Sequence, residues 1–329
     1  MIITKTPYRI SFFGGGSDYE EWFKKDGNYG EVISTTIDKN IYITLRELPK
    51  FFNYKYRASY AIIEEKNLIS EIKHRAIKGA LRYYSLKNAD IHYAGDLPAR
   101  SGMGSSSSFV TGLIKAIYEL KKKKITKKSL YKESVFFERS YLKELVGYQD
   151  QIAASYGGFN CIKMTNNGIS LKNLNNSHNN FTENLNKNLY LVYTGKNRIA
   201  PRIVKTFIHK LSNERKHVIQ RILNHVNQAK KMIVNNSPDD FGCLLDETWH
   251  DKKQLSSSVS NDFIDSLYLK AKKYGSLGGK LLGAGGGGFM IFYVTKKNKE
   301  KFLHGFKNEI IVPFRFSMNG SQIIQKNLL

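Results

Sequence analysis

Apolar and polar positions alternate from Ile2 to Phe13 and again from Gly30 to Glu47, where Val32-Ile33-Ser34-Thr35-Thr36-Ile37 is rich in β-branched residues; this two-residue period predicts two strands paired in one sheet. Tyr54 to Ile63 and Ala89 to Leu97 read as further strands. A period near 3.6 predicts a helix over 69–85, with Ile72, Ala76, Ile77, Ala80 and Leu81 on one face. A second helix runs from Phe109 to Leu120 and turns Phe109, Val110, Leu113, Ile114, Ile117 and Tyr118 inward; a third covers 128–145. After a break at Gly147 come a short helix over 149–155, the pair Gly157-Gly158 and a strand from Phe159 to Met164.

The stretch from Thr165 to Asn188, full of Asn, Ser and Gly, has the composition of a linker and divides the chain into residues 1–175 and 176–329. Beyond it the pattern predicts a strand at Leu189 to Tyr193 and helices over 201–210, 213–234, 238–252 and 261–273. Ser237 is the expected N-cap of the third of these and Pro238 its first residue. A strand over 280–283, a glycine turn, a strand from Phe289 to Val294, a helix over 297–306 and a strand over 310–316 follow. No solenoid repeat is present, and the uneven order of strands and helices predicts an α+β fold rather than a doubly wound parallel sheet.

A length of 329 residues with 41% hydrophobic and 24% charged composition suits two medium domains with real cores. No apolar run reaches the roughly 20 residues that cross a bilayer, and the start of the chain lacks a signal-peptide pattern, so a cytoplasmic protein with no membrane partner is expected. Cys161 and Cys243 are too few for a disulfide framework and lack zinc-site spacing. The net charge of +24 admits nucleic acid or phosphorylated small molecules as partners. It comes from 40 lysines against 12 arginines, scattered along the chain, whereas nucleic-acid sites cluster arginine with aromatics. The run Lys121 to Lys124 reads as a solvated helix end favoured by the dipole.

Three glycine-rich stretches bring in chemistry. The central one, Pro98-Ala-Arg-Ser-Gly-Met-Gly-Ser-Ser-Ser-Ser108, stands between a predicted strand and a predicted helix. Its glycines let the backbone bend close to a ligand, and the serines open a helix whose first turn offers unpaired N–H groups and partial positive charge to a phosphate. It is neither a Walker motif nor G-x-G-x-x-G, and a plain strand-to-helix turn with a serine cap would use the same residues. The other two stretches are Thr6-Pro-Tyr-Arg-Ile-Ser-Phe-Phe-Gly-Gly-Gly-Ser-Asp18 and Lys280-Leu-Leu-Gly-Ala-Gly-Gly-Gly-Gly-Phe289.

Together, in this order, the three resemble the GHMP kinase superfamily of galactose, homoserine, mevalonate and phosphomevalonate kinases. The central stretch matches that family's Pro-x-x-x-Gly-Leu-Gly-Ser-Ser motif with Met103 in place of leucine. The resemblance implies a first, ATP-binding domain like ribosomal protein S5 domain 2, a ferredoxin-like second domain, and an active site in the cleft between them. It implies ATP and Mg2+ as cofactors, with the nucleotide on Pro98, Gly102, Met103, Gly104, Ser105, Ser106 and Ser107 and the metal on Ser106 and Glu138. Asp150, in Gly147-Tyr-Gln-Asp-Gln151, falls where the family has its acid/base aspartate, although the same residue could simply cap a short helix. Glu138, equally, could be one more charge on an amphipathic helix. Arg9 falls at the family's cation for the transferred group, with Tyr8 where galactokinase has glycine.

Gly14, Gly15, Gly16, Ser17 and Asp18 match the substrate stretch of galactokinase, whose Glu-His pair is replaced here by glycines, which leaves room for a larger or phosphorylated sugar. Gly285, Gly286 and Gly287 would bring the second domain's backbone up to the substrate. Arg198, with Lys196 and Lys252-Lys253, would hold a phosphate already on the sugar. The first stretch, with Gly147 to Gln151 and Glu247-Thr-Trp-His-Asp-Lys-Lys253, is most similar to the D-glycero-D-manno-heptose 7-phosphate kinase branch, which implies phosphorylation of the anomeric hydroxyl to the 1,7-bisphosphate for nucleotide-heptose and surface polysaccharide. The expected partner is a small sugar phosphate rather than nucleic acid, and a homodimer is compatible with the resemblance. Fucokinase or another sugar kinase of the superfamily, an inactive or decarboxylase relative, and a nucleic-acid-binding protein on an S5-like fold are the competing readings. The last of these leaves Asp18, Glu138 and Asp150 unexplained beside a phosphate backbone.

Overall fold

A computed structural model describes residues 1–175, 180–196 and 200–326. The first half runs β1 (Ile2–Phe13), α1 (Glu20–Phe23), β2 (Gly30–Glu47), β3 (Tyr56–Ser59), β4 (Ile63–Lys66), α2 (Arg75–Tyr83), β5 (Ala89–Gly95), α3 (Ser105–Leu120), α4 (Lys127–Val135), α5 (Gln149–Tyr156), β6 (Phe159–Thr165) and β7 (Gly168–Asn173). The second runs α6 (Phe181–Asn188), β8 (Leu189–Tyr193), α7 (Ala200–Val204), α8 (Lys216–Val234), α9 (Pro238–Lys253), α10 (Asp262–Lys273), β9 (Ser276–Leu281), β10 (Phe289–Val294), α11 (Lys299–Gly305), β11 (Ile310–Val312), β12 (Phe316–Ser317) and β13 (Gln322–Lys326).

Among the described residues the strands form two sheets. One has nine strands built on the path β13-β1-β2-β5-β3-β4, with β12 and β6 also on β2 and β7 on β6; the other has four in the order β11-β8-β10-β9. The fold is α+β, as the pattern predicts. The long strands β1 and β2 pair antiparallel from Ile2↔Leu45 to Phe13↔Ile33, and the register slips between Pro7 and Arg9. Proline has no N–H for a ladder bond, and such a bulge re-aims the next side chain. Released from the ladder, the Arg9 N–H donates to Met103 O at 3.1 Å, so the slip ties β1 to the central glycine stretch. Helix α3 lays its buried face, including Val110, Leu113, Ile114 and Ile117, on this sheet, and the Tyr8 hydroxyl, fully buried, donates to Leu97 O at 2.8 Å just before the glycine turn.

Several elements depart from the periodicity. The helix expected over 69–85 begins only at Arg75, because the buried Glu64 carboxylate accepts from the N–H groups of Lys73 and His74, and His74 Nδ1 accepts from Ile77 N. The helix expected over 128–145 becomes α4 followed by a π turn at Phe136–Tyr141. The Asn-rich stretch expected as linker contains β7 and α6, the latter burying Phe181 and Leu185. Ser237 makes no side-chain cap bond, although Pro238 does open α9. The strand expected over 310–316 is split: β11 stays in the second sheet, while β12 pairs with β2 and β13 with β1, so the end of the chain is stitched back into the first sheet.

Candidate functional site

The central glycine stretch ends at Gly104, which precedes α3 with φ of 75°, a left-handed conformation costly for any side chain. This turn leaves the first turn of α3, at Ser105, Ser106 and Ser107, open as an anion site. Against it lies a charge pair that no local pattern predicts. Arg9 Nε and Nη2 donate to the two carboxylate oxygens of Asp150 at 2.7 and 2.9 Å, and Arg9 Nη1 donates to Gly102 O at 2.7 Å. A Cβ on Gly104 would stand 3.2 Å from Arg9 Cγ and 3.3 Å from Asp150 Oδ2, so pair and turn meet at one spot. Asp150 therefore sits in the first turn of α5 with its carboxylate turned to a guanidinium, not to the helix's own N–H groups.

The π turn carries Glu138 inward, a common use of π bulges at functional positions. Its side chain is fully buried, with Ser106 Oγ donating to Oε1 at 3.2 Å and Gln151 Nε2 donating to Oε2 at 2.5 Å. Burial pushes this carboxyl up to about 8, and no cation pairs with it among the described residues. A buried carboxyl hydrogen-bonded to a hydroxyl of the first turn of α3 is a donor set that suits a hard cation. No cluster of three or more His, Cys, Asp or Glu that could hold a metal occurs among the described residues, so phosphate oxygens and water would have to complete the shell.

A second group of polar atoms gathers at the first glycine stretch. Asp18 is buried; its Oδ1 accepts from Gly16 N at 3.1 Å and its Oδ2 from Gln149 N at 3.4 Å. Burial, and then the nearby Asp150 charge, push its carboxyl above the usual range. Ser17 Oγ donates to Gly14 O and holds the loop closed. Ser11 Oγ and Gln149 Oε1 are buried without hydrogen-bond partners among the described residues, and their side chains approach Gly15 from its open side. Unsatisfied buried polar atoms are costly, so a polar ligand is the natural partner for them.

The third glycine stretch joins β9 to β10 and reaches the central one. Phe289 N donates to Ser101 O at 3.1 Å, and any Cβ on Gly288 would collide with that carbonyl. Gly285, Gly286 and Gly287 pack against Val259, Ile203 and Lys196 of the second half, so close packing of their own surroundings already demands glycine there. Lys252 differs from its expected role as a phosphate holder: its Nζ donates to Leu281 O and Gly283 O, each at 2.6 Å, and anchors this loop. Lys253 pairs with Asp265, Lys196 lies over the Phe263 ring, and Arg198 lies outside the described residues. Pro98 and Met103 flank the turn, Met103 fully buried.

A helix N-terminus, a buried carboxyl beside it and an arginine–aspartate pair at its edge are parts that phosphoryl transfer from ATP can use, and comparison with known proteins gives the family. Residues 67–158 match the GHMP kinases N terminal domain and residues 229–310 the GHMP kinases C terminal domain. The chain is 31% identical over 336 residues to the D-glycero-alpha-D-manno-heptose 7-phosphate kinase of Campylobacter jejuni, with 97% of each chain covered. It is 23% identical to the galactokinase of Thermotoga neapolitana, again over 97% of each. A solved D-glycero-D-manno-heptose 1-phosphate kinase from Bacteroides thetaiotaomicron superposes with a TM-score of 0.80 at 23% identity, covering 100% of both chains. The chain belongs to the GHMP kinase family and is a sugar kinase of that family. No helix among the described residues is long and apolar enough to cross a membrane.

Proposed function

We propose that this kinase transfers the terminal phosphoryl group of ATP to the anomeric hydroxyl of D-glycero-D-manno-heptose 7-phosphate, giving the 1,7-bisphosphate. The observation that carries the reading is the meeting of the Arg9–Asp150 pair with the Gly104 turn at the mouth of α3, because donor phosphate and acceptor hydroxyl must be brought to one point. The backbone of Gly102, Met103 and Gly104 and the first turn of α3 hold the phosphates. Asp150 orients the acceptor hydroxyl and takes its proton, and Arg9 faces the charge on the group in transfer. Ser106 and Glu138 would hold magnesium, whose charge would offset that of the phosphates. Asp18, Ser11 and Gln149 take the sugar hydroxyls, and the unpartnered state of the last two supports a polyhydroxylated acceptor.

The phosphate already on the sugar is inferred from the open, glycine-built wall at Gly14 to Gly16 and from the 31% identity to the Campylobacter enzyme. The test is ADP release with ATP and Mg2+ across heptose 7-phosphate, heptose 1-phosphate, free heptose, fucose, galactose and mevalonate. Heptose 7-phosphate is expected to give the highest kcat/KM. A higher value with an unphosphorylated sugar would remove phosphate recognition, and turnover of mevalonate alone would remove the sugar reading.

A further inference from the structure

One buried ionisable side chain near Arg9 has no part in the scheme above. Lys280 lies on β9, opposite Ile291 of β10, and leads into the third glycine stretch. Its side chain is 3% exposed and crosses to the first sheet, where Nζ donates to Phe12 O at 2.5 Å, two residues before Gly14. Among the described residues this carbonyl is its one hydrogen-bond partner, so an ammonium group with three donors is buried with only one in use. Among the described residues no carboxylate pairs with it. The charged group that faces it is Arg9 on β1, whose guanidinium is already matched by Asp150; from α9, Lys252 approaches the same end of β9 but donates to Leu281 O and Gly283 O.

Two cations thus sit close together in a buried place that holds one carboxylate for them. A buried ammonium without a counter-ion is costly, and the cost is relieved when an anion arrives. We propose that Lys280 is a further catalytic cation of the phosphoryl-transfer site, delivered by the second domain, which binds the transferred phosphoryl group together with Arg9. In keeping with this, burial and then the Arg9 charge push the amine down to about 7, so a neighbouring phosphate would restore its proton. Because Lys280 comes from one domain and Phe12 and Arg9 from the other, the charge that stabilises transfer also requires the two domains to be seated together. The proposal rests on the kinase reading.

The test separates charge from hydrogen bonding with Lys280→Gln, which keeps a donor for Phe12 but no charge, and Lys280→Arg, which keeps the charge. Each folded protein is titrated calorimetrically with Mg·ADP and with Mg·AMP-PNP, and kcat is measured with the sugar phosphate chosen by the screen. In Lys280→Gln, affinity for AMP-PNP should fall about 10-fold or more, affinity for ADP should hold within about 3-fold, and kcat should fall about 10²-fold, with Lys280→Arg recovering part of kcat. Equal losses for both nucleotides, or a Gln variant that matches wild type in kcat, would reduce Lys280 to a clasp between the domains and overturn the proposal. Should the Gln variant not fold, Lys280→Met, which also removes the charge, takes its place: loss of the preference for AMP-PNP over ADP with ADP affinity kept supports contact with the terminal phosphate, and a preference unchanged from wild type counts against it. A wild-type protein that binds neither nucleotide would overturn the kinase reading itself, a result distinct from both.

Discussion

Glu138 offers a measurement in protons. Burial pushes its carboxyl up to about 8, so the folded, metal-free protein holds it mostly protonated at pH 7. A magnesium ion at the proposed Ser106 and Glu138 site would favour the carboxylate and expel that proton. Binding of premixed Mg·ADP should then release up to about one proton per site at pH 7 and fewer as the pH rises past 8, read by calorimetry in two buffers of different ionisation enthalpy. Glu138→Gln should release about one proton fewer at pH 7 and bind the metal nucleotide more weakly. The same shift sets the pH dependence of stability. With a folded pKa above the unfolded one near 4.5, the folded state binds the extra proton between these values, so Glu138's contribution is fully present below about 4.5 and is lost as pH rises to about 8. At about 1.4 kcal/mol per pKa unit, metal-free wild type should lose a few kcal/mol over that range relative to Glu138→Gln. Equal proton release by wild type and variant would refute the metal assignment, and parallel Tm profiles of the two from pH 5 to pH 9 would refute the buried-carboxylate argument.

Asp150→Asn keeps shape but removes the charge and one of the two side-chain acceptors facing Arg9, which is 5% exposed; we expect kcat to fall about 10²- to 10⁴-fold and stability to drop by about 2–4 kcal/mol, and near-normal kcat in a folded variant would place the base elsewhere. Gly104→Val puts a β-branched residue at φ of 75° against Arg9 and Asp150; nucleotide affinity in calorimetry should vanish and stability should fall by about 1–3 kcal/mol, so unchanged affinity would remove the cradle. Gly288→Ala, at φ of 105°, drives a methyl into Ser101 O and breaks the Phe289 N–H bond to it; thermal unfolding should move to lower temperature and kcat/KM for ATP should fall about 10-fold or more, whereas wild-type values would mean the two glycine stretches need not touch.

Much of this was legible in residue order because glycine runs and two-residue alternation are local signals: β1 and β2 have the bounds their alternation predicts, and the serines after Gly104 do open α3. Glu138 was reached only through the family resemblance, and its inward turn depends on a π bulge that helical spacing does not encode. The Arg9–Asp150 pair joins positions 141 apart, and no local pattern carries such a contact. Lys280 stands in a recognised motif, yet its importance comes from burial and from Arg9, both tertiary. β7 and α6 were hidden because a surface hairpin and a short helix with two buried side chains can be built from Asn-rich sequence, which composition alone reads as loop.

The return of the chain to its first sheet limits how this enzyme can move. β11 ends at Val312 in one sheet and β12 begins at Phe316 in the other, so three residues, 313–315, bridge the two. Fully extended they reach roughly 10 Å, and Pro313 removes one of the free torsions. One end is pinned: Asp38 N–H donates to Arg315 O at 2.9 Å, and Arg315 N–H donates to Asp38 Oδ1 at 3.0 Å. With the earlier crossing between β7 and β8, the halves are held by two leashes, one of them very short. Straight separation of the halves would tear β12 from β2, so any opening between them is expected to be a swing of small arc about that short leash.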